Sequence, residues 1–371
     1  MIQHMNTKQK TIFVGMSGGV DSSVSAALLR DAGHDVVGVF IKTWQPDWIT
    51  CTWRSERRDA LRVCAHLDIP FMELDLEEEY KKGVADYMIS EYKKGRTPNP
   101  DVMCNKEVKF GGFLRWALEH GADAVATGHY AQNIFDTTRN VYTLHQGNDE
   151  AKDQSYFLWT LSHDQLQYVY FPVGHLPKDE VRRLAKKYAL PTATKKDSQG
   201  ICFMGQIDMK DFLKHYIHER RGDVLNVHGE CIGYHDGALF FTRGERHGFT
   251  ITQKTSHETP LYVIDKDIDA NTITVAETVH QKSTSQSSMI LKLSSVVWRG
   301  PDEIEGETFK GQIRYHGALH TYTIVSYHPD EHMLVCESST LDEEPAHGQS
   351  LVLYSGAECV GGGIIDAIDY R

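Results

Sequence analysis

The sequence predicts an α/β chain in three parts: a Rossmann-like, doubly wound amino-terminal domain, a small mainly β middle domain, and a carboxyl-terminal antiparallel β-barrel. Over the first 130 residues, short β-rich runs alternate with amphipathic stretches, the pattern of a parallel sheet covered by helices. From about Gly222 the chain changes to glycine-punctuated, β-branched segments. At roughly 150 residues per domain, 371 residues fit two or three domains. The expected boundaries are 1–215, 216–284 and 285–371, with QKSTSQSS (281–288) as a linker.

Strands are expected at TIFVGM (11–16), DVVGVF (35–40), PFMELDL (70–76) and DAVATG (123–128). Helices fill the gaps at 20–31, stopped by Gly33, at 54–67, stopped before Pro70, and at 105–120, stopped by Gly121. A ligand is expected at the carboxyl ends of the strands. Two long loops interrupt the pattern. In GRTPNPDVMCN (95–105), the prolines and Asn99 bar a helix until Asn105 caps the next one. LPTATKKDSQGICFMGQ (190–206) follows a basic amphipathic helix at 178–189. Further on, TYTIVSY (321–327) and HMLVCES (332–338) flank a turn, and SLVLYS with ECVGGGIIDAI completes an antiparallel set. There is no internal repeat.

A composition of 40% hydrophobic and 24% charged residues excludes a disordered or fibrous chain. Apolar stretches stop far short of the roughly 20 residues of a membrane span, and MIQHMNTKQK has no apolar signal core. A cytoplasmic protein without a membrane partner is expected. Seven cysteines, with no CxxC, make neither a disulfide framework nor a zinc ribbon. The net charge of -12 is uneven: residues 1–221 hold 29 basic and 29 acidic side chains, residues 222–371 hold 10 and 22. Lys178, Arg182, Arg183, Lys186, Lys187, Lys195 and Lys196 gather where a polyanion could dock, although an exposed amphipathic helix gives the same spacing. The 20 histidines form no metal constellation, and His215 and His218, three apart on an expected helix, read as surface residues. No metal site is expected from them.

The strongest motif is GMSGGVDSS (15–23), directly after the first strand and directly before a helix. Glycines 18 and 19 let the backbone approach an anion, the helix start offers unpaired N–H groups, and Ser17, Ser22 and Ser23 add hydroxyls. Gly15, Met16, Ser17, Gly18, Gly19, Val20, Asp21 and Ser22 are the candidate phosphate cradle. It lacks the lysine of a Walker A loop, and no GxGxxG occurs.

SGGVDS resembles the pyrophosphatase-loop ATPases, which split ATP between the α and β phosphates to adenylate a carbonyl oxygen. GRTPNPDVMCNKEVKF (95–110), ATGHYA (126–131), KDQSYFL (152–158), KKDSQGICFMG (195–205) and GQSLVLYSGAECVGGGIID (348–366) extend the likeness over nearly the whole chain. Together they resemble the tRNA-specific 2-thiouridylases. The resemblance implies ATP with Mg2+, activation of the C2 oxygen of the wobble uridine (position 34) of a tRNA, and its replacement by sulfur. It also implies a sulfur-donor protein, either a cysteine desulfurase or a relay carrier.

That chemistry asks for two thiols. Cys104 ends the Pro-rich loop just before the expected helix, whose dipole would favour a thiolate. Cys202 follows Gly200 in the second loop, near Lys195 and Lys196. By resemblance Cys202 carries a persulfide, and Cys104 attacks it and closes a disulfide with it. Asp101 is the candidate to orient the base or move a proton; taken alone it is a turn residue. The resemblance also implies that Gly128 and the backbone of Ile41 meet the nucleotide. Asn99, Pro100, Asp101, His129, Lys152, Asp153, Gln154, Arg314, Tyr315 and Gln349 are the implied tRNA contacts. Cys51, Cys64, Cys231, Cys336 and Cys359 read as packing residues.

FTRGERHGF (241–249) stands where the family has a TIGQR-like stretch, DSQGICF replaces DSTGICF, and Ala151 replaces a glycine. The first departure leaves open how the middle domain meets RNA. Two rival readings remain at this stage. An amide ligase of the same superfamily would need an ammonia source rather than paired thiols. A redox-sensing nucleic-acid binder would hold an iron–sulfur cluster on Asp101, Cys104 and Cys202.

Overall fold

The computed structural model describes residues 8–49, 53–196, 208–252, 259–277, 288–339 and 344–371. β1 (Thr11–Gly15), β2 (Asp35–Lys42), β3 (Phe71–Asp75) and β4 (Ala124–Ala126) form where strands are expected. After a hairpin of β5 (Ala131–Asp136) and β6 (Val141–Gln146), β7 (Val169–Tyr170) adds in parallel to β4. The resulting sheet runs β3-β2-β1-β4-β7. Chain order reverses across β1, so the carboxyl ends of β1 and β4 flank the switch point where such sheets hold ligands.

Alternation along β1 explains the double winding. Ile12 and Val14 share a core with Val24 and Leu29 of α1 (Val20–Asp31) and Val63 and Leu67 of α2 (Trp53–Leu67). Phe13 points to the opposite face, into a core with Met88 of helix α3 (77–93) and Phe113 of helix α4 (100–119). The sequence reading lacks α3, which Gly83 and its charged residues conceal. Its signal is the buried series Tyr80, Val84, Met88 and Tyr92, spaced by four.

α4 corrects the expected loop 95–105. Asn99 is a helix cap, its Oδ1 accepting the N–H groups of Asp101 (3.1 Å) and Val102 (3.2 Å). Pro100 occupies the first helical position, where a fixed φ and a missing N–H are no handicap. Read as a breaker, it is a starter. Helix therefore begins five residues earlier than Asn105, and Cys104 lies in its second turn, opening a π-helical stretch over Cys104–Phe113. Helix Met209–Lys214 ends before His215 and His218, so these exposed residues do not share it; His215 stacks on Trp48 at 3.6 Å.

β8 (Gly222–Leu225), β9 (Cys231–His235), β10 (Phe249–Ile251), β11 (Tyr262–Asp267) and β12 (Thr272–Ala276) make the middle sheet. β13 (Met289–Trp298), β14 (Thr308–Gln312), β15 (His320–His328), β16 (Met333–Ser338), β17 (Ser350–Ser355) and β18 (Glu358–Tyr370) run in the order β13-β16-β15-β14-β17-β18. Pairing of β13 with β18 closes this barrel around Leu291, Leu293, Ile324, Leu334 and Leu351. The expected linker lies outside the described residues except for Ser288, whose N–H donates to Arg371 O.

The barrel is sewn to the amino-terminal domain. β18 pairs with β6 at Glu358 and His145. Arg299, directly after β13, is 4% exposed. Its guanidinium donates to Trp159 O (2.7 Å), to Leu161 O, and to Cys359 O (2.9 Å). A buried cation is tolerable only with such acceptors. Arg299→Leu should therefore lower stability by about 3 kcal/mol or more, because it leaves those carbonyls without donors. A urea melt checks this through a lowered midpoint at constant slope, and an unshifted midpoint would contradict it.

Candidate active site

The loop after β1 folds on itself. Ser17 N–H donates to Ser22 Oγ (3.3 Å), Gly19 N–H to Ser17 Oγ (3.3 Å), and the Ser23 hydroxyl to Gly19 O (2.6 Å). Gly18 stands at φ +69, and a Cβ there would lie 2.4 Å from Glu56 O, so only glycine fits. Gly19 begins α1 without any side-chain cap, leaving the first-turn N–H groups for an anion.

Two ammonium groups from far along the chain supply what the loop itself lacks. Lys178 Nζ donates to both Asp21 carboxylate oxygens (2.8 and 2.9 Å), and Lys195 Nζ donates to Gly18 O (2.9 Å) and Asp59 Oδ2 (2.8 Å). The sequence reading takes both lysines as part of a basic surface. The structure sets them on either side of the phosphate loop, and no local pattern marks that placement. Of the remaining basic cluster, Arg182 donates to Ala193 O and Lys195 O, and Arg183 pairs with Glu180. Lys195 and Lys196 begin the segment that carries Gly200 and Cys202; those two residues lie outside the described ones.

Asp21 is also the start of a hydrogen-bonded path. The Tyr130 hydroxyl donates to Asp21 Oδ1 (2.7 Å), and Tyr130 N–H donates to Gln154 Oε1 (3.0 Å), while Gln154 N–H returns to Tyr130 O (2.8 Å). Gly128 is pressed against α1: a Cβ there would lie 2.7 Å from Ser22 N. Its close approach is thus to the phosphate loop. Ile41 lies on the far side, its Cδ1 near Gly15.

From Gln154 the path reaches the thiol helix. Asp153 braces its own turn, accepting Gly147 N–H (2.8 Å), Ser155 N–H (3.0 Å) and the Ser155 hydroxyl (2.8 Å). Lys152 N–H donates to Asp149 O (2.9 Å). Asn105 Nδ2 donates to Phe157 O (3.1 Å), and the Phe157 ring meets Tyr315 with centroids 4.3 Å apart. The Tyr315 hydroxyl is pushed above its ordinary pKa by burial first, and then by the charges of Asp153 and Asp101. Arg314, beside it, is exposed. Gln349 donates from Nε2 to Thr97 O (3.0 Å), three residues before α4.

Asp101 and His129 both feel the charge of Lys109. Burial pushes the Asp101 carboxyl above its ordinary pKa, and Lys109 pulls it back. Lys109 Nζ lies 3.3 Å from His129 Nε2, and His129 Nδ1 lies 2.7 Å from Thr127 Oγ1. An ammonium can only donate, so Nε2 accepts and the ring proton sits on Nδ1, donated to Thr127. Phe110 and Phe171 flank the ring, each with centroids 5.9 Å away. Cys104 is buried and joins no disulfide among the described residues. Because Cys104 lies in the second turn, the helix dipole favours its thiolate less than expected, since that field fades within the first turn. Cys64, Cys336 and Cys359 are buried thiols in helix or strand, and Cys231 is exposed; Cys51 lies outside the described residues.

Residues 10–206 match the family model described as a tRNA methyl transferase HUP domain, residues 210–277 a tRNA methyl transferase PRC-barrel domain, and residues 288–365 an aminomethyltransferase beta-barrel domain. The protein named tRNA-specific 2-thiouridylase MnmA in Streptococcus thermophilus is 42% identical over 372 residues, spanning 97% of this chain and 96% of its own. The protein of that name in Oceanobacillus iheyensis is 42% identical over 367 residues (98% and 96%), and the one in Bacillus subtilis 40% over 361 (96% and 95%).

Burial first, and Lys109 second, hold His129 well below its ordinary value of 6.5. A depressed histidine pKa means that its neutral form stabilises the fold above 6.5, and that this contribution drains away as pH falls below it. In a ring-nitrogen NMR titration, His129 should stay neutral through pH 6.5, and Lys109→Met should raise its pKa. A wild-type His129 titrating at the ordinary value would contradict the assignment.

Proposed function

The chain belongs to the tRNA-specific 2-thiouridylase family and is a tRNA sulfurtransferase; from that premise we propose how its residues perform the reaction. The observation that carries the reading is the unbroken path Asp21–Tyr130–Gln154, which ties the phosphate loop to a segment the family likeness assigns to tRNA.

The loop from Gly15 to Ser22, with Lys178 and Lys195 beside it, holds the phosphates of ATP, and Ile41 and Gly128 border the nucleoside. The C2 oxygen of uridine 34 attacks the α-phosphorus and pyrophosphate leaves. Asp101 and Lys109 face the reacting base, with neutral His129 fixing the Lys109 ammonium. The outer sulfur of a Cys202 persulfide then reaches C2 by one of two routes. Either Cys104 attacks the inner Cys202 sulfur and releases sulfide, which displaces AMP, or the persulfide displaces AMP itself and Cys104 then cleaves the mixed linkage. Both routes oxidise the two thiols to a Cys104–Cys202 disulfide, which an external thiol must reduce before the next turnover.

Magnesium bound with ATP would neutralise phosphate charge. Among the described residues, no group of three or more His, Cys, Asp or Glu is placed to hold a metal ion. A sulfur-donor protein must load Cys202. tRNA meets Asn99, Pro100, Lys152, Arg314, Tyr315 and Gln349, and Lys186 and Lys187 are the basic helix residues left to contact its backbone. No helix among the described residues is long and apolar enough to cross a membrane.

Bulk tRNA incubated with the protein, ATP and a persulfide source should yield 2-thiouridine, AMP and pyrophosphate by nucleoside analysis; ADP and phosphate as products would overturn adenylation. Cys104→Ser should still load labelled sulfur on the Cys202 peptide yet release no thiolated tRNA. Label confined to the Cys104 peptide would reverse the two roles.

A further inference from the structure

Residues 95–98 lead into α4 and lie between the barrel and the middle domain. Thr97 N–H donates to His347 O at 2.7 Å, and Thr97 O accepts from Gln349 Nε2 at 3.0 Å. The barrel turn thereby takes both backbone groups of a residue that is 9% exposed. Between those two partners Gly348 stands at φ +92, where a Cβ would lie 3.1 Å from the N, C and O atoms of Thr97. From the other side Thr97 Oγ1 lies 3.0 Å from Thr242 Oγ1 of the middle domain. Arg96 adds ion pairs to Asp366 of the barrel (2.8 Å) and to Glu91 of α3 (2.7 Å).

Two residues beyond this junction Asn99 caps α4, and the first two turns of α4 carry Asp101 and Cys104. The entry of that helix is therefore set by parts of the chain outside it. We propose that Gly348 and Gln349 of the barrel and Thr242 of the middle domain are positioning residues for Asp101 and Cys104, acting through Thr97. This deepens the thiolation reading and rests on it. Thr242 belongs to the FTRGERHGF stretch that departs from the family pattern. Arg243 beside it points the same way, toward Glu344 in the segment before the barrel turn (3.4 Å). The departure thus faces the interdomain junction.

The test uses the full chain with Gly348→Ala and Thr97→Val, and Thr97→Ser as the conservative control. Three readouts are compared: tRNA affinity by filter binding, single-turnover thiolation at saturating tRNA and ATP, and hydrogen exchange of amides 99–104. Gly348→Ala and Thr97→Val should slow thiolation about ten- to hundredfold, as misplacement near 1 Å does. Their tRNA affinity should stay within about twofold while exchange at 99–104 accelerates, and Thr97→Ser should behave as wild type. An unchanged rate overturns the inference. So does a loss that saturating tRNA restores, because the barrel would then act through RNA affinity alone. If the wild type itself makes no 2-thiouridine, the thiolation reading fails, and exchange then decides by itself: unaltered exchange in Gly348→Ala overturns the positioning role, and accelerated exchange supports it.

Discussion

One carboxylate holds the centre together. Asp21, in the first turn of α1, accepts the Lys178 ammonium at 2.8 Å and the Tyr130 hydroxyl at 2.7 Å. Hydrogen bonds to a charged group contribute about 1.5–3 kcal/mol each when shielded from water. With the Lys178 side chain 13% exposed and Asp21 30% exposed, solvent screens this pair only in part. Through these bonds the phosphate loop, the segment after β4 and the start of α5 (Lys178–Lys187) keep one relative placement. Remove the carboxylate, and the phosphate loop loses its reference to residues 152–157.

The rest of the site is built outward from that knot by packing rather than by further charge. Gly128 lets the segment after β4 lie directly on Ser22, and the two hydrogen bonds between Tyr130 and Gln154, one of them accepted by the Gln154 side chain, carry the placement to residues 152–157. Asn105 then joins that segment to α4, and the Phe157–Tyr315 contact brings in the barrel.

What the sequence makes legible is what is local. Strand, glycine loop and helix follow one another within residues 11–31, so the phosphate cradle can be read from neighbours alone. The groups that complete it are separated by 157 residues for Lys178 and Asp21, 109 for Tyr130 and Asp21, and 177 for Lys195 and Gly18. No periodicity spans such distances. β7 is two residues long and owes its existence to β4 beside it. The Asn99–Pro100 pair is ambiguous for a different reason: proline breaks a helix from within and starts one from its first position. The capping bonds of Asn99 choose between those outcomes. His129 was readable as a site residue only by likeness, whereas its fixed tautomer follows from Lys109 and Thr127, which structure alone brings together.

The central claim is that nucleotide and RNA occupy one coupled site, joined through the Tyr130 hydroxyl. Its most direct test measures affinity for a non-cleavable α,β-methylene analogue of ATP with and without tRNA, in wild type and in Tyr130→Phe. Coupling between sites of this kind amounts to about 5- to 150-fold. The account predicts that tRNA tightens analogue binding in the wild type and that Tyr130→Phe abolishes the effect while leaving binding without tRNA nearly unchanged. An absent tRNA effect in the wild type, or an undiminished one in Tyr130→Phe, would contradict it.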